Sequence, residues 1–256
     1  MVARCTLTLA LACFFVASAR GDWAISSSQT ERSAAAGVEH RRIVVSDSGT
    51  GQEAILDLAL FSTKFATLRV IDNPTGEDDL AAVIRRSRSL AGVNGGYFDP
   101  QNAPVGLLIS DGKMIAPFRK ARLLSGVLVV AKGRLELLRS AEYSSRKSAS
   151  AALQCGPFLV DAGQVVPGLN DTRSARRTFV LTGGTDRAAI GFCSSVTLAE
   201  LAQILATPRM APDLKLQRAL NLDGGSSSAF WFAGERGPFS IPEQKTVRDF
   251  VVIVPR

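Results

Sequence analysis

The stretch Asn221 to Phe230 reads NLDGGSSSAF, placing an acid, two glycines and three serines directly after an apolar run. One glycine suffices for a turn, so the surplus calls for another reason. If Ala219–Leu222 is extended, its two-residue period sends Asn221 and Asp223 to one side, where they should face the same cleft. Gly224 and Gly225 would let the backbone pass close to a ligand, while Ser226, Ser227 and Ser228 add hydroxyls and N–H donors. A carboxylate at a strand end among such donors suits a ligand bearing hydroxyls or an anion. The competing reading is a polar loop around a structural aspartate.

Three further glycine-rich segments recur at strand ends: VNGGYFDP (Val93 to Pro100), PVGLLISDGK (Pro104 to Lys113) and QCGPFLVDAGQ (Gln154 to Gln164). Taken singly, Asn94-Gly95, Asp111-Gly112 and Asp161 beside Ala162-Gly163 are ordinary turn signals. Elimination narrows the chemistry. His40 is the one histidine of the chain, so a histidine-based zinc site or a Ser–His–Asp triad would rest on a residue near the start of the fold. Neither GxxxxGK[ST] nor GxGxxG occurs, and GGSSS is not the GxSxG elbow. Carboxylates, arginines, Asn and hydroxyls remain. With an arginine to bind an anion, they suit hydrolysis of glycosidic or phosphate-linked bonds, and no metal or other cofactor is expected.

The elements that must position these residues read mostly as strands: RIVVS, AILDLALFS, TLRVID, VGLLIS, GVLVVA, RLELLR, FLVDAGQVV, TFVLTG, AAIGF and FVVIVPR. Short links such as Ala131-Lys132-Gly133 and Asp161-Ala162-Gly163 argue for antiparallel pairing. One helix is predicted with Thr75 as its cap, Asp78 three residues later, and Leu80, Val83, Ile84 and Ser87 on one face. A second, TLAELAQILATP, has a Thr197/Glu200 capping box and a stop at Pro208. The fold class expected is α+β, a large twisted mixed but mostly antiparallel sheet with a few flanking helices in a single domain.

The 256 residues are 46% hydrophobic and 21% charged, which is ordinary globular composition. Residues 1–19 read as a signal peptide: Arg4, an apolar Leu7–Val16 stretch, then Ala17-Ser18-Ala19 with cleavage after Ala19. The protein is thus expected to be exported, periplasmic or secreted, with no integral membrane segment after cleavage. Residues 20–37, polar and aperiodic, read as a flexible leader, and 38–256 as the domain. Of the cysteines, Cys155 and Cys193 outlast cleavage, as a disulfide or as two buried thiols. The formal charge of +7 falls by one with Arg4. Its basic clusters lack interleaved stacking aromatics, so no nucleic acid is expected; the excess reads mainly as a solvated face, with some attraction for anionic substrates or envelope polymers.

In order, VNGGYFD, PVGLLISDGK, CGPFLVDAGQ, RRTFV, the TLAELAQIL helix and ALNLDGGSSS resemble the phosphodiester glycosidase family, over about Leu68 to Trp231. The resemblance implies an α+β domain that hydrolyses the bond between a sugar's anomeric carbon and a phosphodiester, so the expected partner is a sugar-phosphate or glycan. Carried onto this chain, the motifs are Asn94, Gly95 and Gly96; Asp111 and Gly112; Gly156 and Pro157; Arg177 and Thr178; and Asn221, Asp223, Gly224, Gly225 and Ser226. In that reading Asp223 is nucleophile or general acid/base, Asp111 the second carboxylate, and Arg177 the phosphate ligand. Asn94 and Asn221 orient sugar hydroxyls. Cys155 stands where the family leads one to expect another small residue, which hints at a disulfide. The rivals are a non-catalytic glycan-binding domain using the same loops, and a phosphodiesterase releasing sugar-1-phosphate.

Overall fold

A computed structural model of the chain describes residues 22–33, 37–144, 148–207 and 210–256. The proposed signal peptide and Pro208 lie outside them. The fold is α+β, with the strands divided among three sheets rather than gathered in one. The largest, of eight strands, runs in the order Trp23–Arg32, Val38–Asp47, Glu53–Ser62, Arg187–Val196, Ala175–Gly183, Leu216–Asn221, Phe158–Asp161 and Gln164–Val165. A five-stranded sheet follows the order Lys113–Ala116, Leu108–Ser110, Ala151–Cys155, Gly126–Ala131 and Arg134–Arg139. A second five-stranded sheet runs Gly237–Ile241, Phe230–Gly234, Ala91–Asn94, Asp249–Pro255 and Ala66–Asp72. Every strand pair among the described residues is antiparallel.

One apolar cluster takes side chains from all three sheets, among them Phe158 and Leu220, Leu128 and Leu153, and Phe230 and Val251. An eight-stranded sheet cannot bury its own faces, so the smaller sheets close over one face and the Leu198–Ala206 helix covers the other through Leu201, Ile204 and Leu205. The Thr197/Glu200 capping box is present in full. The first helix spans Leu80–Ser87 and buries Leu80, Val83 and Ile84 as its periodicity demands. Its cap is Asp79 rather than Thr75: the Asp79 carboxylate accepts from the Ala82 N–H at 2.6 Å, satisfying an orphan donor of the first turn.

Residues expected in the loose leader form part of the fold. Trp23–Arg32 is a ten-residue strand paired along the Val38–Asp47 strand. Its backbone ladder and the buried Trp23 ring hold it, while its serines and threonine face solvent on a sheet edge, which is why the segment reads as aperiodic. The links at Lys132-Gly133 and Ala162-Gly163 are two-residue hairpin turns with positive φ at both positions. Cys155 and Cys193 are buried, unpaired and on different sheets, so the hinted disulfide does not form. Burial pushes both thiols up, away from the reactive thiolate. Among the described residues no helix is long and apolar enough to cross a membrane.

Candidate active site

The NLDGGSSSAF segment follows the central Leu216–Asn221 strand, which pairs with Ala175–Gly183 on one side and Phe158–Asp161 on the other. Phe179 pairs with Asn221, so two residues further along each strand Arg177 comes opposite Asp223 on the same face. Asn221, Asp223 and Arg177 accordingly line one cleft of about 390 Å³, together with Tyr97, Pro157, Arg173 and the Gly224-Gly225 backbone. The volume is at the lower end of that of small-ligand sites and is enough for a ligand the size of a sugar phosphate. A second cavity of about 330 Å³, around Leu205 to Gln217, has Lys215 as the one ionisable residue of its lining among the described residues.

Asp223 is held at both ends. Its N–H donates to the Gly95 carbonyl at 3.0 Å, and its own carbonyl accepts from Asn94 Nδ2 at 2.8 Å and from the Thr178 hydroxyl at 2.6 Å. The carboxylate is half-buried, with Oδ1 accepting from the Gly224 N–H at 2.9 Å. Burial raises its pKa, against the Ser227 hydroxyl, the Gly224 N–H and the Lys245 charge, which favour the ionised form. Asn221 Nδ2 donates to the Gly156 carbonyl at 2.9 Å and lies 3.4 Å from the Tyr97 hydroxyl, while its buried Oδ1 has no protein partner. The Tyr97 hydroxyl donates to the same Gly156 carbonyl, and burial holds it protonated.

Arg177 is 8% exposed. Its Nε donates to the Val196 carbonyl at 3.0 Å and Nη2 to the Arg173 carbonyl at 2.6 Å. Two backbone carbonyls fix the guanidinium plane, and among the described residues no carboxylate forms a direct ion pair with it. Burial lowers its pKa, but a guanidinium remains charged at any physiological pH. A fixed cation beside a half-buried carboxylate is an arrangement for an anionic ligand carrying a reacting centre.

Several residues expected in the site stand elsewhere. Asp111 is on an exposed hairpin tip with φ 49°, paired with Arg69 at 2.9 Å, and takes no part in the cleft lining. Asn94 and Thr178 are fully buried and spend their side chains on the Asp223 carbonyl, and Asn94 Oδ1 also accepts from the Ala229 N–H at 3.1 Å. They position the loop rather than face a ligand. Ser226 is exposed, with its carbonyl accepting from the Gln244 N–H at 2.7 Å.

The carboxylate that does sit behind the site is Asp249, at the start of the Asp249–Pro255 strand and 1% exposed. Its Oδ1 accepts from the Gly96 N–H at 2.9 Å, its backbone carbonyl from the Gly95 N–H at 2.8 Å, and its Oδ2 has no partner. Tyr97 was legible as a polar ring in NGGYF, whereas Asp249, an acid before the apolar FVVIVP, looks in sequence like any solvated strand start.

Burial raises the Asp249 carboxyl from the ordinary 3.8 to about 7. The folded protein therefore holds a proton that the unfolded chain releases near pH 4, and stability present below that pH is lost as pH rises towards 7. An Asp249→Asn variant keeps an acceptor for the Gly96 N–H without the charge. Its unfolding free energy from urea titrations should gain on the wild type between about pH 4 and 7, up to a ceiling of about 4 kcal/mol, and the gap should level off above pH 7. A gap that does not change with pH contradicts this.

A sequence profile of the phosphodiester glycosidase family matches residues 87–254. No curated protein sequence matches the chain. In structure the chain is similar to the catalytic domain of zebrafish N-acetylglucosamine-1-phosphodiester alpha-N-acetylglucosaminidase, solved in a form auto-inhibited by its pro-peptide. The TM-score is 0.64 and the identity 16%, over 90% of this chain and 89% of that one. It is also similar to a hypothetical protein from Synechocystis, with a TM-score of 0.58 and 15% identity over 86% of this chain and 62% of that one. At such identities the structures speak for the fold, whereas the profile, which covers most of the chain including Asn94, Arg177 and Asp223, speaks for descent. The chain belongs to the phosphodiester glycosidase family.

Proposed function

We propose that this protein is an exported hydrolase of sugar-1-phosphodiesters, cleaving the bond between the anomeric carbon and the phosphate oxygen. The observation that carries this reading is Asp223 and Arg177 in one cleft, a carboxylate and a guanidinium fixed by the pairing of two adjacent strands. Family membership supports a glycosidase-type function, and the apolar stretch before Ala17-Ser18-Ala19 supports export.

In this reading Arg177 binds the phosphate, and Asp223 acts at the anomeric centre as nucleophile or as the base that deprotonates water. Oxygen joins the anomeric carbon, the C–O bond to phosphate breaks, and its electron pair leaves on a phosphomonoester already stable as an anion. Such a leaving group needs no proton from a second acid, which fits the placement of Asp111 outside the cleft and of Asp249 behind it. Asn221, with its free Oδ1, and the Gly224-Gly225 backbone meet the sugar. Purified protein incubated with methyl N-acetylglucosamine-1-phosphodiester, a probe taken from the zebrafish relative's substrate, should release reducing sugar. Binding without release would identify a recognition domain instead.

A further inference from the structure

The rim of the cleft carries more positive charge than one phosphate requires. Residues 117–125 form a loop with Arg119, Lys120 and Arg122 exposed, and its Leu123 lines the cleft. Arg173, also exposed, lines it as well. Among the described residues none of these four cations has a carboxylate partner, and the exposed acid nearest in sequence is Asp171.

The loop is pinned in place. Buried Gln154 accepts from the Arg119 N–H at 3.0 Å through Oε1 and donates from Nε2 to the Arg119 carbonyl at 2.7 Å and the Leu124 carbonyl at 3.3 Å. The Leu123 carbonyl packs so closely on Gly156 that a Cβ there would sit 2.4 Å from it. Gly156 is the residue whose carbonyl receives both Tyr97 and Asn221, so the backbone that carries the three loop cations is tied to the floor of the site while their side chains stay in solvent.

Exposed cations gathered beside a cleft raise the local positive potential and attract anions to it. A single phosphodiester is served by Arg177. We infer that the substrate's aglycone side carries further anionic groups, as in a chain of phosphate-linked sugar repeats, and that Arg119, Lys120, Arg122 and Arg173 bind the phosphates beyond the scissile one. The inference rests on the glycosidase reading of the same cleft. A membrane surface is disfavoured because, among the described residues, Leu123 is the one strongly exposed large apolar side chain at the rim. A nucleic acid is disfavoured because the loop's aromatic residue, Phe118, is already stacked on Tyr143 at 5.2 Å.

The test compares the methyl N-acetylglucosamine-1-phosphodiester with an oligomer of three phosphate-linked N-acetylglucosamine repeats, in wild type and in R119Q/K120Q/R122Q. These side chains are exposed and the loop's anchors are backbone groups, so the fold should persist. The substitution should lower kcat/KM for the oligomer roughly tenfold more than for the methyl diester, through KM. It should also flatten the fall of oligomer turnover with salt. Equal effects on both substrates overturn the inference while leaving the glycosidase reading intact. Turnover of neither overturns the glycosidase reading; calorimetric binding of the oligomer to both proteins then decides the rim, with equal affinities overturning it. Loss of binding to anionic phosphatidylglycerol vesicles, with oligomer kinetics unchanged, would show a membrane patch and overturn it too.

Discussion

Replacing Asp223 by Asn should lower kcat on a sugar-1-phosphodiester by roughly 10³-fold or more, while the protein keeps its thermal midpoint to within a few degrees. The substitution is nearly isosteric, and the bonds that hold this residue in place run through its backbone: the N–H to Gly95, and the carbonyl to Asn94 and Thr178. The amide oxygen can still accept from the Gly224 N–H, so the loop loses little. What disappears, in the proposed mechanism, is the ionisable group that acts at the anomeric centre; as an amide it can neither attack carbon nor take a proton from water. The same reasoning sets the pH profile. Asp223 must be ionised to act, and burial raises its pKa, so turnover should rise with pH through an apparent pKa above the ordinary carboxylate value and show no histidine limb. Unchanged turnover in a folded Asp223→Asn protein would remove this residue from the chemistry.

Gly95→Ala should be among the most destabilising single methyl additions in the protein, costing about 3–5 kcal/mol. A Cβ at Gly95 would lie 1.8 Å from Asp249 Oδ1 and 3.0 Å from the Asp249 carbonyl oxygen. Neither can retreat cheaply. Oδ1 holds the Gly96 N–H at 2.9 Å and the carbonyl holds the Gly95 N–H at 2.8 Å, both in a fully buried setting where a lost bond leaves an orphan donor. The severest contact is with the Asp249 side chain, so a double-mutant cycle checks it. In an Asp249→Ser background, with the shorter side chain making room, the same Gly95→Ala change should cost about 2 kcal/mol less. If the two changes are additive, the close approach of Gly95 to Asp249 does not determine the glycine.

Much of the fold was legible because its signals are local. The two-residue turns at Lys132-Gly133 and Ala162-Gly163, the Thr197/Glu200 capping box and the Leu80, Val83 and Ile84 stripe each depend on residues a few positions apart. The Trp23–Arg32 strand was not legible, because an edge strand stabilised by a backbone ladder can keep a polar sequence on its open face. For the site, the period-two spacing of Asn221 and Asp223 carried over to one cleft, since both sit on or beside a regular strand. Asp111 lies on a turn of the kind its own dipeptide announces, and motif order alone had drawn it towards the site. Asp249 was invisible because its importance comes from the Ala91–Asn94 strand beside it, 155 to 158 positions away in the chain.

The glycines of NLDGGSSSAF now divide by cause. Gly225 adopts φ +67°, which a side chain disfavours, whereas Gly224 lies against the Arg176 carbonyl and the Arg177 side chain. Together they bring bare backbone to the cleft that Asp223 and Arg177 share.

The most direct test of the central claim is the position of solvent oxygen after turnover. Hydrolysis of methyl N-acetylglucosamine-1-phosphodiester in H₂¹⁸O, followed by mass spectrometry of the products, should place the label on the anomeric hydroxyl of free sugar and leave the methyl phosphate unlabelled. Label in phosphate, with sugar-1-phosphate as the product, would mean attack at phosphorus and would contradict the assignment of Asp223 to the anomeric carbon.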